Sequence, residues 1–330
     1  MALFLTEEDV RSVLTMKMAL AAVEEAFQRL ADGSAVLHLR QRLHLPGKSY
    51  LHYMAAGDAQ GGTIGMKIYT SSREGLRFLV PLFNAETGNL MALIEADYLG
   101  QMRTGAASGI ATRLLARANA RTVGIVGTGS QARTQLEAVA AVRKLEHIRA
   151  YSRDVGRRAK FAVAMSAQLH VPVETAPTGE EAVRDADIVI TATAAKDPVL
   201  RGEWLSPGTH INAIGANFPD KRELDAEAIR RAAIIVADSR EQSKIEAGDL
   251  IQVFGRDEAQ WAAIVELAEI VSGRATGRSN EDQITLFKSS GIAIEDVTAA
   301  AKIYDCARSR GIGREIPMWT KPESERGIRP

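Results

Sequence analysis

From Thr122 onward, short apolar runs of strand type alternate with longer stretches in which apolar positions recur at helical spacing. The pattern predicts strands at 122–127, 147–152, 171–175, 187–193, 210–215 and 233–237. Helices are expected at 130–144 and 157–168, with a short one at 180–184. Strand and helix in alternation is the signature of a parallel sheet with helical crossovers. Periodicity leaves the order of the strands within that sheet open.

The first 118 residues read differently. Helical periodicity covers 6–30, with Thr6 and Asp9 placed as a capping box. Extended segments follow at 49–55, 62–70, 78–84 and 90–95, the last two joined as a hairpin through Asn84-Ala-Glu-Thr-Gly88-Asn. Alanine-rich helices are expected at 106–116 and 292–309, the second followed by a Gly/Pro-rich tail. The predicted fold class is α/β: a Rossmann-type doubly wound parallel sheet over 119–291, plus a smaller α+β domain over 1–118 and 292–330.

Composition narrows the function classes. The 330 residues carry 41 basic and 41 acidic side chains, so no basic field attracts nucleic acid or an anionic membrane. One cysteine, Cys306, excludes an internal disulfide framework and a cysteine-rich metal site, and reads as a small core side chain on a helix. Glu7, Glu8 and Asp9 oppose a signal peptide, and no apolar run approaches a membrane span. A soluble, cytoplasmic protein without a metal is expected.

The chemistry starts at Gly127-Thr-Gly-Ser-Gln-Ala132, between a strand and a helix. Gly127 permits a tight turn, Gly129 lets backbone approach a pyrophosphate, and the helix start presents free N–H groups. Thr128, Ser130 and Gln131 belong to the same turn. The second strand ends in Ser152, Arg153 and Asp154, with Arg157 and Arg158 one turn later. A hydroxyl with guanidinium groups suits a ribose 2′-phosphate, which favours NADP over NAD; Asp154 would serve an NAD ribose if the strand ran longer. Lys67 alternates with Met66 and Ile68, so periodicity turns it to solvent. Arg103 precedes a predicted helix, where it can clamp a carboxylate or pair on the surface, and Arg40 and Arg42 carry the same ambiguity.

Four segments together resemble the ornithine cyclodeaminase/mu-crystallin family: Met102-Arg-Thr-Gly-Ala-Ala-Ser108, the turn at Gly127, Gly215-Ala-Asn-Phe-Pro-Asp-Lys-Arg-Glu-Leu224, and Thr285-Leu-Phe-Lys-Ser-Ser-Gly-Ile-Ala-Ile-Glu-Asp296. The resemblance runs to about residue 315. It implies a homodimeric two-domain enzyme that uses a nicotinamide cofactor on imino acids, amino acids or ornithine, the smaller domain serving substrate binding and dimerisation. Carried over by position, Lys67 is the catalytic lysine, Arg42 and Arg103 bind the substrate carboxylate, and Met54 lies near the substrate. Thr104 contacts cofactor phosphate, Thr191, Ala192 and Thr193 skirt the cofactor, and the segment from Lys288 to Gly291 lies near the nicotinamide.

Two positions depart from the cyclodeaminase pattern: His52 stands where a glutamate is usual, and Asn217 where an aspartate is. Neither can hold the negative charge that would bind a second ammonium. The resemblance then implies NAD(P)H-dependent reduction of a linear or cyclic α-imino acid, or the reverse oxidation of an amino acid. Lys67 would handle the proton, with Asn217 and His52 in supporting catalytic roles. Ornithine cyclodeamination and sequestration of NADPH with a small ligand are the alternatives.

Overall fold

The computed structural model describes residues 1–319; the end of the expected tail, and of the segment 292–330, lies outside them. In chain order the elements are β1 (Ala2–Leu5), α1 (Glu7–Val13), α2 (Met16–Asp32), β2 (Ala35–His44), β3 (Tyr50–Asp58), β4 (Thr63–Ser72), β5 (Gly75–Asn84), β6 (Leu90–Glu95) and α3 (Asp97–Leu115). Then come β7 (Thr122–Val126), α4 (Ser130–Val142), β8 (His147–Tyr151), α5 (Val155–Leu169), β9 (Val173–Thr175), α6 (Gly179–Val183), β10 (Ile188–Thr191), β11 (His210–Ala213), α7 (Ala226–Arg231) and β12 (Ala232–Ala237). The chain continues through α8 (Arg240–Glu246), α9 (Gly248–Phe254), α10 (Glu258–Ala262), β13 (Val265–Glu266), α11 (Leu267–Val271), β14 (Ile284–Lys288), α12 (Ala293–Arg310) and β15 (Arg314–Ile316).

Two sheets divide these strands. The first has the order β15-β1-β6-β5-β4-β3-β2 and is antiparallel except where β1 meets β6. The second, β13-β12-β14-β11-β10-β7-β8-β9, is parallel throughout. Successive strands are added on one side of β7 as far as β9 and on its other side from β10 onward, so the switch point, where open α/β sheets take ligands at the strands' carboxyl ends, lies between β7 and β10. Helices α2, α3 and α12 fill the inner side of the first sheet in one apolar core, with Phe27, Met54, Leu99, Ile110 and Ile294 fully buried.

Local chemistry explains where boundaries moved. The Thr6–Asp9 capping box is present, but the single helix expected over 6–30 is two. Leu14 is extended and Thr15 caps α2 by accepting the Met18 N–H, starting a new helix. Helix α3 starts at Asp97 rather than 106, so Arg103 and Thr104 sit inside a helix, not before one. Strand β2, which pattern reading passed over, carries a bulge between His38 and Gln41. Ahead of the bulge Leu37 faces inward; after it Arg40 and Arg42 do. The extra residue flips the alternation and hides the strand's period. The hairpin at 84–89 forms as expected, with the Asn84 carboxamide accepting from Glu86 and Thr87 N–H and Gly88 at φ 68°.

Candidate active site

The second sheet builds a dinucleotide cradle. Gly127 leaves β7 at φ 112°, and a Cβ there would run into the Ala192 carbonyl at the end of β10. Gly129 precedes α4 with open space where a side chain would stand, and no side chain caps the helix. The first N–H groups of α4, from Ser130 and Gln131 on, are therefore free for a pyrophosphate. Thr128 Oγ1 lies 2.9 Å from Ser152 Oγ, which ties the turn to the end of β8.

That end carries one carboxylate, Asp154. Asp154 caps α5, accepting the Arg157 N–H at 2.8 Å on Oδ1, and is exposed. Ser152 is partly exposed, and Arg153 and Arg157 are exposed beside it. Arg158 is different: it folds back over the Tyr151 ring and donates to the Ser152 carbonyl.

On the other side of the switch point, Thr191 and Thr193 both donate their hydroxyls to buried Glu223, which also accepts from the N–H of Thr193 and Gly215. Glu223 thus laces the ends of β10 and β11 together, leaving backbone at Ala192 to border the cradle. Lys288 is fully buried, its ammonium held by Asp249 at 3.1 Å and the Ala216 carbonyl at 2.7 Å. It is an internal strut and does not face a cofactor, which corrects the role expected for it.

The inner face of the first sheet supplies the reacting groups in rows set by register. One row across β2, β3 and β4 holds Arg40, Met54 and Lys67. Arg40 Nη2 lies 3.5 Å from Met54 Sδ and donates to the carbonyls of Ser290 and Gly291 at 3.0 Å, while its Nη1 pairs with Glu246. The next row outward holds Arg42, His52, Tyr69 and Phe78.

Lys67 is buried, 4% exposed, which overturns the solvent-facing expectation. The apolar side of β4, Ile64, Met66 and Ile68, faces away from the core, with Ile64 47% exposed. The strand has two apolar-compatible faces, and alternation alone chose the wrong one. Lys67 Nζ is 2.8 Å from Asp296 Oδ1, at the start of α12; Arg103 Nε donates to the same oxygen at 3.0 Å and its Nη1 to Glu295 at 2.7 Å. Burial, then the positive charges of Arg103 and Arg40, lower the Lys67 pKa to about 8, against the opposing pull of Asp296. Burial would raise Asp296, but Arg103 and Lys67 hold it below the usual range. Burial raises Glu295 to about 8 in spite of Arg103.

Gly291, at φ 78°, makes room for Arg103, since a Cβ there would strike the guanidinium. Asp238 fixes this segment by accepting from the Ser289 hydroxyl at 3.0 Å and the Ser290 N–H at 2.8 Å. Thr104 is buried on α3 next to α4; its hydroxyl donates to the Gly100 carbonyl and its own carbonyl accepts from Gln135. His52 is buried between Tyr50 and Tyr69, and Asn217 receives Arg42 on its backbone carbonyl at 2.9 Å.

Lys67, Arg103, Met54 and Gly291 therefore converge, with Arg42, His52 and Asn217 one layer away. Sequence reasoning missed the acids that organise them: Asp296, Glu295, Glu246, Asp238 and Glu223. Two of these, Glu295 and Asp296, stand in the motif near the C-terminal end, but nothing local to them marks a partner as distant as Lys67.

The family model for the ornithine cyclodeaminase/mu-crystallin family matches residues 1–311. An alanine dehydrogenase of Archaeoglobus fulgidus is 36% identical over 336 residues, covering 96% of this chain and 98% of its own. A solved Thermococcus litoralis Δ1-pyrroline-2-carboxylate reductase, in complex with NADH and L-proline, is 37% identical with a TM-score of 0.91, covering 95% of this chain and 100% of its own. A solved archaeal alanine dehydrogenase dimer with bound NAD is 35% identical with a TM-score of 0.90, covering 96% and 99%. The chain belongs to the ornithine cyclodeaminase/mu-crystallin family.

Proposed function

We propose that this chain is an NAD(P)-dependent oxidoreductase that reduces the C=N bond of an α-imino acid to an amino acid, and runs the reverse oxidation. The observation that carries this reading is Lys67: a buried ammonium with its pKa brought to about 8, in one row with Arg40 and Met54 and linked through Asp296 to Arg103. A group that gives or takes a proton near neutral pH is what a C=N/CH–NH interconversion requires at nitrogen.

The substrate carboxylate is assigned to Arg103 and Arg40. Arg103 Nη2 makes no hydrogen bond among the described residues, and Arg40, not Arg42, shares the row of Lys67. Guanidinium clamps on a carboxylate fix the imine carbon, and such positioning lowers barriers by several kcal/mol. When bound in the cradle at Gly127 to Ala132, the nicotinamide supplies the hydride. Lys67 holds the proton for the nitrogen, and the low exposure of this layer keeps water away from the imine.

The cofactor preference is assigned to NADP. Ser152 and Arg153 stand at the end of β8, and one oxygen of Asp154 caps α5. The protein acts as a homodimer: the outward face of the first sheet exposes Val36, Tyr53, Ile64 and Leu79, an apolar band suited to a second copy. Among the described residues no helix is long and apolar enough to cross a membrane.

Oxidation of a panel of L-amino acids, followed by the absorbance of reduced nicotinamide with NAD and NADP separately, tests reaction and cofactor together. Turnover with NADP above NAD is expected. Ammonia release from ornithine without any amino-acid oxidation would contradict the reading.

A further inference from the structure

We infer that the substrate carries a second carboxylate, on a short side chain, bound by Arg42 and the imidazole N–H of His52 beneath the Phe218 ring. This rests on the reductase reading above. The register of the first sheet places the argument. With the reacting nitrogen at Lys67, the side chain of the substrate extends along the strands to the next row outward on the same face, about 6.6 Å away at two residues per step. That row is Arg42, His52, Tyr69 and Phe78.

Its chemistry is polar at one end and aromatic at the other. His52 stacks on Tyr69 at 4.3 Å and Tyr69 on Phe78 at 4.9 Å. Phe218 closes over the polar end, its ring 4.3 Å from the Arg42 guanidinium carbon and 4.7 Å from Lys221 Nζ. Among the described residues Glu246 is the one carboxylate paired with Arg42, and it is divided between Arg42 and Arg40. One negative charge thus serves two guanidiniums, leaving a net positive charge at the row.

Two buried nitrogens there are unpartnered among the described residues. Arg42 Nε is buried without a partner, and so is Nδ1 of His52, a side chain only 1% exposed. His52 Nε2 lies 3.2 Å from Ser71 Oγ; we assign the Ser71 hydroxyl as the donor, which puts the ring proton on Nδ1. Burial, then Arg42 and Arg40, hold the His52 pKa at about 4, so the ring is neutral at working pH and its surroundings favour an anion.

An apolar substituent would leave those donors buried and unsatisfied, and an ammonium would meet like charge. A carboxylate answers both, with charge-assisted bonds. The aromatic side of the row limits the length of the chain that bears it.

The test uses reductive amination by the purified protein, with ammonia and NADPH. The 2-oxo acid condenses with ammonia and loses water; hydride then adds at carbon, a proton adds at nitrogen, and NADPH becomes NADP⁺. The panel is oxaloacetate and 2-oxoglutarate against pyruvate, 2-oxobutyrate and phenylpyruvate, with pyrroline-2-carboxylate as the preformed cyclic imine, each product quantified as amino acid. The expected kcat/KM for one of the dicarboxylates exceeds every monocarboxylate by at least about 10-fold, and Arg42→Gln cuts that ratio about 10- to 100-fold. Arg42→Lys, which keeps the charge, restores part of it. Glu246 retains Arg40 in these variants, and unchanged thermal melting confirms that they fold.

Preference for a monocarboxylate or the cyclic imine, or a ratio unmoved by Arg42→Gln, overturns the inference and leaves the reductase reading standing. No amino acid formed from any member overturns both.

Discussion

The ammonium of Lys67 lies between two guanidiniums and one carboxylate, and those neighbours set its proton affinity. With a pKa of about 8, Lys67 is protonated below that pH and can supply the proton that imine reduction consumes. Reduction should therefore slow as pH rises through about 8, and amino-acid oxidation, which needs the free amine, should speed up through the same range. Asp296 pulls this pKa upward. In Asp296→Asn the midpoint of both profiles should move to lower pH, a shift that a purely structural role for Asp296 would not produce; an unmoved midpoint would count against it. At this scale the sequence was informative about which residue types matter, and less so about where they point. Lys67 was recognisable only through family resemblance, because Met66 and Ile68 beside it are apolar on the outward face. Local pattern did not rank Arg40 and Arg42, and the family resemblance chose Arg42, because the bulge in β2 that sorts them into different rows leaves no mark in composition.

Among elements, the turn from β7 to α4 was the most legible. Its glycines are needed for backbone reasons that act locally, at φ 112° for Gly127 and in the open approach at Gly129. Gly127→Val should abolish stabilisation of the protein by NADPH in thermal melting, since the side chain meets the Ala192 carbonyl and the backbone is strained. The end of β8 gives a second prediction: Arg153→Ala should lower kcat/KM for NADPH by about 10-fold or more while leaving NADH nearly unchanged, as expected for loss of one charge-assisted phosphate contact. Equal losses with both cofactors would refute the assignment. Strand β11 adds a pH effect. His210 is fully buried between Thr285 and Asn212, and burial together with Arg278 lowers its pKa to about 3. Between its ordinary value of 6.5 and about 3, the unfolded chain takes up a proton that the native state refuses. Its contribution to stability is therefore lost as pH falls through that window. His210→Asn should flatten the fall in melting temperature between neutral and mildly acidic pH.

At the scale of the whole molecule, the chemistry depends on contacts between segments remote in the chain. Lys67 meets Asp296 across 229 positions, and Arg40 approaches Ser290 across 250. The α/β class and most strands followed from local pattern. The carboxylates that hold the site did not, because a buried acid looks the same in sequence as a solvated one until its partner is known. Association belongs to this scale too: Ile64→Asp on the outward face of the first sheet should shift the sedimentation of the protein from dimer to monomer, and an unchanged dimer would place the interface elsewhere. The central claim, that Lys67 carries the proton in α-imino acid reduction, is tested most directly by kcat/KM for imine reduction in Lys67→Ala against the parent protein. The predicted result is a loss of about 100-fold or more with NADPH binding retained; activity within about threefold of the parent would contradict it.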